Sequence, residues 1–260
     1  MSHRRKPLPA ARVPRATVRV ANGFRSAAYD PDQDDDLDTQ GEPDEDDATV
    51  YVYDAIGGFF GVEASAFVKA VAGLKAKTIH LRLNSPGGDV FDARAMATAL
   101  AAHPAKVVAH VDGLAASAAS FLMLAADEIE MSDGAFVMIH NPMTVAAGDA
   151  RDMRQTADLL DKVRDAIAAD YVKRTGKPTG EIVGMMDAET WLTASEAVAQ
   201  GFADRVVDGV KPKNRFDLTV YDHAPAALTE APAEDAQAAA LEAMRQRQTR
   251  LAALYARAPA

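Results

Sequence analysis

The fold is decided by residues 78–113, which read TIHLRLNSPGGDVFDARAMATALAAHPAKVVAHVDG. Apolar and polar residues alternate over 78–83, and residues 105–113 are rich in valine, as is typical of two β-strands. Between them lie a glycine-containing turn, NSPGGD, and a segment with the apolar spacing of a helix. Two strands joined through a helix predict a parallel pair with a right-handed crossover, which is the repeating unit of α/β folds.

The alternation of strands and helices continues on both sides of this stretch. Alternating, β-branched residues at 49–58 predict a strand, and the apolar spacing at 62–74 predicts a helix. Further along we expect an apolar helix, a strand, a short helix and a last strand, at 115–126, 135–139, 193–201 and 202–207. The short helix begins at a capping box formed by Thr193 and Glu196. Together these elements predict an α/β fold with a mainly parallel sheet.

The longest predicted helix covers residues 149–175. Its apolar residues recur three to seven positions apart with charges between them, at Met153, Leu160, Val163, Ile167 and Tyr171. A helix of this length spans about 40 Å, which is roughly the width of a small domain. We therefore expect this helix to protrude from the sheet or to mediate assembly.

The charges divide the chain into a folded body, residues 49–210, and two tails. The formal net charge is -10, but residues 30–47 alone hold 11 acidic residues and no basic one, so the rest of the chain sums to +1. Residues 1–48 join a basic block to this acidic block and are predicted to be disordered, as a solubilising tail or a partner-binding arm. Residues 211–260 form a Pro/Ala-rich tail, in which 233–257 is either an assembly helix or a marginal tail helix.

Composition argues against several classes of protein. Without cysteine there is no disulfide, thiolate or zinc–cysteine chemistry, and a cytoplasmic protein is the natural expectation. The N-terminus lacks the apolar segment of a secretory signal, and no run of about 18 apolar residues predicts a membrane span. The folded body has no excess of basic residues and the chain is only 6% aromatic, which does not favour nucleic-acid binding. The six histidines show no metal-ligand spacing, so we expect neither a metal nor a cofactor.

Three polar features follow predicted strands, at the end where α/β sheets bind ligands. The turn at 84–89 is either a tight connection or a set of N–H groups exposed to an oxyanion. Ser117, at the start of a predicted helix, is either a capping and packing residue or a nucleophile favoured by the helix dipole. His140 ends a predicted strand and is either a structural residue or a general base at a loop entrance.

Together these features resemble the ClpP-like serine peptidases, the proteolytic subunits of Clp proteases. The segments that carry the resemblance lie in family order between residues 49 and 207, and read LNSPGGDV, VDGLAASAASFLMLAADEI, MIHNP and MDAETWLTASEAVAQGFADRV. Ser117 precedes His140 by 23 residues, and His140 precedes Glu189 by 49, which are family-like separations. The segment DAETWLTASEA and the long acidic extension look most like the phage and prophage branch that is associated with head maturation.

The resemblance implies a serine endopeptidase with a Ser-His-acid triad. Ser117 would attack the peptide carbonyl, and His140 would take its proton and later give it to the leaving amine. The backbone N–H groups of Gly88 and Ala118 would form the oxyanion hole. The family nucleophile is usually followed by Met-Gly or a similar pair, whereas here Ala118 and Ala119 follow it, and both are small.

The acid of the triad is where the chain departs from the family pattern. The family places an aspartate two residues before the aromatic residue of the final motif, and that position holds Glu189 here, ahead of Trp191. Glutamate is one methylene longer but could still reach Nδ1 of the histidine. Asp187 lies two residues further upstream, and a local shift would use it instead. The register favours Glu189, and both residues are candidates.

The fold implied by the resemblance is the crotonase-like, ClpP-type β/α superhelix, with residues 149–175 as its long protruding handle helix. Family members assemble as rings, habitually of seven subunits stacked twice, around an internal chamber. The resemblance implies protein or peptide substrates, with phage capsid or scaffold proteins as candidates, and a separate ATP-dependent unfoldase as a partner. Two alternatives are a non-catalytic ring-forming scaffold protein and a crotonase-type acyl-CoA enzyme, which shares the fold and the paired N–H groups.

Overall fold

The chain divides into two compact units, residues 1–216 and 217–260. The computed structural model describes residues 19–22, 46–57, 61–208 and 216–229. In the second unit, the described residues include one short helix, Ala226–Thr229. The elements described below belong to the first unit.

The first unit is built on an eight-stranded sheet. The strands are β1 (Arg19–Asn22), β2 (Asp47–Val52), β3 (Thr78–Ser85), β4 (Lys106–Ala116), β5 (Glu128–Ser132), β6 (Phe136–Ile139), β7 (Thr190–Thr193) and β8 (Arg205–Val207). The helices are α1 (Ala64–Ala72), α2 (Val90–Ala101), α3 (Ala118–Leu122), α4 (Ala150–Thr175), α5 (Thr179–Asp187) and α6 (Ala194–Ala199), and a 3₁₀ turn, Met123–Ala125, follows α3.

The sheet is mainly parallel. Its strands follow the order β1-β2-β3-β4-β5-β8, and β6 pairs with both β4 and β7. The pairs β2–β3, β3–β4, β4–β5, β4–β6 and β5–β8 are parallel. Antiparallel pairing is confined to β1 against β2 and β7 against β6 among the paired strands described. The predicted α/β fold with a mainly parallel sheet is therefore confirmed.

The alternating residues of β3 show how the core forms. Ile79, Leu81 and Leu83 are completely buried and join one hydrophobic cluster with Phe67 of α1 and Met96 of α2. Because successive strand residues point to opposite faces, one face of β3 packs against the helices. Burying each side chain of this size contributes about 1.5–3 kcal/mol, so the cluster accounts for much of the stability.

The other face of β3 takes part in a buried polar cluster. Arg82 donates from Nε to Oδ2 of Asp112 at 3.0 Å, and its second terminal nitrogen lies 2.5 Å from Oδ1. The hydroxyl of Tyr53 donates to the same carboxylate at 2.5 Å. Burial raises the pKa of Asp112, and the arginine and the tyrosine hydroxyl oppose that rise. The carboxylate therefore depends on these partners to stay charged inside the protein.

β4 pairs along one edge with two strands in succession. Its residues 108–111 pair with 128–131 of β5, and its residues 114–116 pair with 136–138 of β6. The register places Ala116 directly opposite Met138. The residues that follow these two strands therefore emerge at the same end of the sheet, side by side.

The long helix and the short capped helix are confirmed. α4 begins after Asp149, whose side chain accepts hydrogen bonds from two backbone N–H groups of the first turn, and it ends at Gly176 with a φ of 71°. These are typical start and stop devices of a helix. α6 begins at the predicted capping box, in which Thr193 and Glu196 each bond the other's backbone N–H.

One sequence prediction is wrong at its start. The apolar helix expected at 115–126 begins only at Ala118, because β4 continues through Leu114–Ala116 and pairs there with β6. Leucine and alanine favour helices by intrinsic propensity, so here tertiary pairing with β6 overrides local preference.

Four elements are present that the sequence patterns do not predict: β1, β5, α5 and β7. β5 is a short strand in which charged Glu128 and Glu130 alternate with apolar residues. α5 begins directly after Pro178, where the sequence indicates only the end of α4. β7 overlaps the start of the capped helix and forms by pairing with β6, a contact distant in sequence.

Parts of the predicted tails lie outside the described residues. The segment 1–48, expected to be disordered, contains β1 and the first residues of β2, and the rest of it up to 45 is outside the described ranges. The expected helix at 233–257 is also outside them. Within the described part of the chain, no helix has both the length and the apolar character needed to cross a membrane.

Candidate active site

Ser117 stands between β4 and α3 in a backbone conformation that few non-glycine residues adopt. Its φ is 53° and its ψ is -124°. Such a conformation costs about 1–3 kcal/mol and persists only where its surroundings impose it. Here the N–H of Ser117 donates to the carbonyl of Met138 on β6 at 2.9 Å. The sharp turn between strand and helix places the half-buried Ser117 at the carboxyl end of β4.

The Ser117 hydroxyl does not cap the helix that it precedes. No side-chain cap bond forms at this position, and α3 has only five residues, so its dipole is small. Instead, the hydroxyl oxygen Oγ lies 2.7 Å from Nε2 of His140. The capping alternative for Ser117 therefore does not describe its side chain, and activation by the helix dipole contributes little.

His140 follows β6 directly and is half-buried. Burial lowers its pKa, because the charged imidazolium loses solvation, and the carboxylate of Glu189 partly opposes that fall. At neutral pH the imidazole is therefore uncharged and its Nε2 can accept a proton from the serine hydroxyl. A serine hydroxyl within hydrogen-bond reach of a neutral imidazole is the arrangement that nucleophilic catalysis requires.

The two candidate acids lie on opposite sides of a tight turn and have different partners. Asp187 ends α5, and its Oδ1 accepts from Nδ2 of Asn141 at 2.7 Å. Glu189 has a φ of 48°, and its Oε1 accepts from the indole Nε1 of Trp191 at 3.1 Å. Glu189 is the carboxylate whose charge acts on the pKa of His140. The structure thus associates Glu189 with the histidine and Asp187 with the asparagine beside it.

The glycine turn lies against the serine. Gly87 has a φ of 95°, and a Cβ placed on it would come within 2.6 Å of Cβ of Ser117. Gly88 has a φ of 145°, and a Cβ there would overlap the carbonyl oxygen of Ile56. Both positions therefore need glycine, for backbone conformation and for space.

Hydrogen bonds to Ile56 fix the orientation of this turn. The N–H of Ile56 donates to the carbonyl of Gly87 at 2.8 Å, and the N–H of Asp89 donates to the carbonyl of Ile56 at 2.9 Å. In a parallel bridge of this kind, the N–H of the intervening residue points away from the partner. The N–H of Gly88 is therefore directed away from Ile56. Ala118, the first residue of α3, has an N–H that the helix itself does not use.

Ser120 and Tyr171 also contact this site, although the sequence patterns do not indicate a functional role for either residue. Oγ of Ser120 donates to the carbonyl of Ser117 at 2.6 Å, and it lies 2.6 Å from the hydroxyl of Tyr171 on α4. Tyr171 reads in the sequence as one member of an apolar stripe. A serine one turn after the candidate nucleophile carries no sequence signal of its own, and the tyrosine is 51 residues away.

Comparison with known proteins identifies the family. The family model described as Clp protease matches residues 64–210, which is more than half of the chain. The chain belongs to the Clp protease family. This membership accounts for the ClpP-type α/β fold, and it makes the chain a serine-type peptidase, a hydrolase.

Individual Clp protease relatives support the same assignment. The ATP-dependent Clp protease proteolytic subunit 1 of Synechococcus sp. (strain CC9902) is 34% identical over 134 residues, which cover 51% of this chain and 68% of the relative. Subunit 2 of Parasynechococcus marenigrum (strain WH8102) is 33% identical over 134 residues, covering 51% and 68%. Subunit 1 of Protochlamydia amoebophila (strain UWE25) is 35% identical over 136 residues, covering 51% and 66%.

Proposed function

We propose that this Clp protease family member is a serine endopeptidase whose triad is Ser117, His140 and Glu189. The observation that carries the proposal is the 2.7 Å contact between Oγ of Ser117 and Nε2 of His140. The positive φ of Ser117 supports it, because strain of this kind concentrates at functional sites. A non-catalytic ring-forming scaffold would have no use for this strained serine.

The reaction follows from the positions of these groups. Oγ of Ser117 attacks the carbonyl carbon of the scissile peptide while its proton moves to Nε2 of His140. The carbonyl oxygen becomes an oxyanion, which the N–H groups of Gly88 and Ala118 stabilise. His140 then gives the proton to the leaving amine, and the C–N bond breaks to leave an acyl-enzyme. Water, deprotonated by His140, hydrolyses the ester and regenerates the serine.

Glu189 supports the histidine in this scheme. Its negative charge favours the imidazolium that forms when His140 takes the serine proton. Asp187 is assigned no catalytic part, because its carboxylate is already engaged by Asn141.

Covalent labelling tests the nucleophile. The assembled wild-type protein is incubated with a fluorophosphonate probe, alongside Ser117→Ala and the control Ser195→Ala, which removes an exposed hydroxyl from α6. Wild type and the control should be labelled and should cleave peptide substrate, and Ser117→Ala should do neither. Labelling of Ser117→Ala, or an assembled wild type that is neither labelled nor active, would overturn the proposal.

We also propose that the protein works as a homo-oligomeric ring, a heptamer or a stacked pair, with α4 as the handle that joins two rings. Its 26 residues extend about 39 Å, and much of its N-terminal half is exposed. The named relatives are proteolytic subunits of ATP-dependent proteases, which suggests a separate ATP-dependent unfoldase. Native mass measurement tests the ring: a monomer at working concentration would contradict it.

The proposed substrates are proteins or peptides, with phage capsid or scaffold proteins as the specific candidates. The segment DAETWLTASEA and the acidic stretch at 30–47 support this branch. Incubation of the active protein with a capsid protein and its scaffold tests the proposal. Cleavage that disappears in Ser117→Ala is expected, and intact substrates beside an active enzyme would contradict it.

A further inference from the structure

A hydrogen-bonded chain links the long helix α4 to the backbone of the candidate nucleophile. Ser120 is completely buried and Tyr171 is 2% exposed. Oγ of Ser120 lies 2.6 Å from the carbonyl oxygen of Ser117 and 2.6 Å from the hydroxyl oxygen of Tyr171. The same carbonyl oxygen also accepts from the backbone N–H of Ser120 at 2.9 Å, so the hydroxyl chain adds a second donor to it.

The direction of both hydrogen bonds follows from the chemistry of the groups. A carbonyl oxygen can only accept, so Ser120 gives its single hydroxyl proton to Ser117. The same Oγ must then accept from Tyr171. Burial raises the pKa of the Tyr171 hydroxyl, so this group is protonated and able to donate. The chain therefore runs from Tyr171 through Ser120 to the carbonyl of Ser117.

The end of this chain is the peptide unit that joins Ser117 to Ala118. That unit is planar and trans, so its C=O and its N–H point in opposite directions. Fixing the carbonyl of Ser117 also fixes the N–H of Ala118. A donor bound to the C=O also polarises the N–H of the same peptide and strengthens it as a hydrogen-bond donor.

We infer that Ser120 and Tyr171 are positioning residues that orient and polarise the Ala118 N–H in the oxyanion hole. The inference rests on the proposed peptidase function and adds to it a dependence on the seating of α4. The ring of Tyr171 packs 5.8 Å from that of Phe202, so loss of the hydroxyl alone leaves the packing of α4 in place. The two positioning residues act on the transition state more than on the bound substrate, because the substrate carbonyl carries no oxyanion.

The test uses the assembled wild type, Tyr171→Phe, Ser120→Ala, the double variant and the control Ser132→Ala. Ser132 carries a buried hydroxyl on β5, so its removal controls for the loss of a buried polar group. For each protein, kcat and KM are measured on a fluorogenic peptide. Inhibition constants are measured for a peptide boronate, whose tetrahedral adduct places an oxygen in the oxyanion hole, and for the corresponding uncharged peptide amide. Melting temperatures show whether each variant is folded.

Tyr171→Phe and Ser120→Ala should each lower kcat by about tenfold, less than the 10²–10³-fold that complete loss of an oxyanion donor costs. Boronate affinity should fall by the same factor, while KM and affinity for the peptide amide stay within about twofold. The kcat of the double variant should be no lower than that of the less active single variant, because both changes break the same hydrogen-bonded chain. Ser132→Ala should keep wild-type kcat.

Three results would overturn the inference. The first is a folded Tyr171→Phe and a folded Ser120→Ala with wild-type kcat, which leaves the peptidase function standing. The second is an equal loss of affinity for boronate and peptide amide, or an equal loss of kcat in Ser132→Ala, which indicates a general structural role. The third is a wild type without activity or boronate binding, which removes the proposed function and this inference with it.

Discussion

Replacing Glu189 by glutamine separates the two candidate acids most sharply. Glutamine has the same length, and its carbonyl oxygen can still accept the 3.1 Å hydrogen bond from the indole of Trp191. The backbone turn at this position, with its φ of 48°, therefore keeps its side-chain contact. What disappears is the negative charge that stabilises protonated His140.

The expected loss in kcat/KM is about 10²–10⁴-fold, which corresponds to about 2.7–5.4 kcal/mol of transition-state stabilisation. The substitution should also shift the pKa of His140 in a known direction. Glu189 raises the pKa of His140 against the lowering caused by burial, so its removal lowers that pKa further. The acid limb of the pH profile of kcat/KM should therefore move to lower pH in Glu189→Gln, because the neutral base persists further into acid.

Asp187→Asn is the matched control. Asparagine can still accept from Nδ2 of Asn141, and Asp187 is exposed, so kcat/KM should stay within about twofold of wild type. Both variants are assayed as assembled proteins on the same fluorogenic peptide from pH 4 to 9. The reasoning is refuted if Asp187→Asn loses orders of magnitude while Glu189→Gln keeps most of the activity, or if Glu189→Gln moves the acid limb upwards.

The remaining predictions concern the base, the glycine turn and the buried ion pair. In the wild type, the acid limb of kcat/KM should lie below the ordinary histidine pKa of 6.5, because burial of His140 disfavours the imidazolium; a limb at or above that value contradicts this account. Gly88→Ala should abolish measurable peptide cleavage and lower unfolding free energy by about 1–3 kcal/mol in denaturant titrations, because its Cβ would overlap the carbonyl of Ile56 at a φ of 145°. Arg82→Met should lower the free energy of unfolding by about 3–5 kcal/mol, because it leaves Asp112 buried without its cation, and adding Asp112→Leu should recover much of this loss. Calorimetric melting of both variants measures the effect. An unchanged melting temperature in Arg82→Met would be inconsistent with a buried ion pair.

Much of the fold is predictable because local patterns and tertiary packing agree. The alternation of Ile79, Leu81 and Leu83 predicts a strand, and these same residues form the core against the helices. β5 alternates as well, but it is only five residues long and holds two glutamates, a residue type depleted in strands, so its signal is weak. In the structure, Glu128 and Glu130 are matched by Arg205 on the adjacent strand β8, a partner that no local pattern reveals.

The candidate site, like the fold, is predictable from the sequence only in part. The strand ends predict where Ser117 and His140 lie, because parallel strands place their carboxyl ends together. The register of the sequence favours Glu189 but leaves Asp187 as a candidate, because the direction of each carboxylate depends on the backbone around residue 189, whose φ is 48°. The contact of Ser120 with α4 is beyond sequence reasoning too, because it depends on how a helix 51 residues away packs.

The pairing of β4 with β6 has a consequence for how far this family can diverge. The Ser117–His140 distance is set by three paired positions, 114–116 against 136–138, and not by the number of residues in between. Insertions or deletions between α3 and β6 that keep this pairing leave the two side chains in place. A single residue added within β6 would turn the residue that follows the strand to the opposite face of the sheet, and would so separate the histidine from the serine. Remote homologues should therefore vary in the number of residues between α3 and β6, whereas the number of residues from β6 to the histidine should be constant.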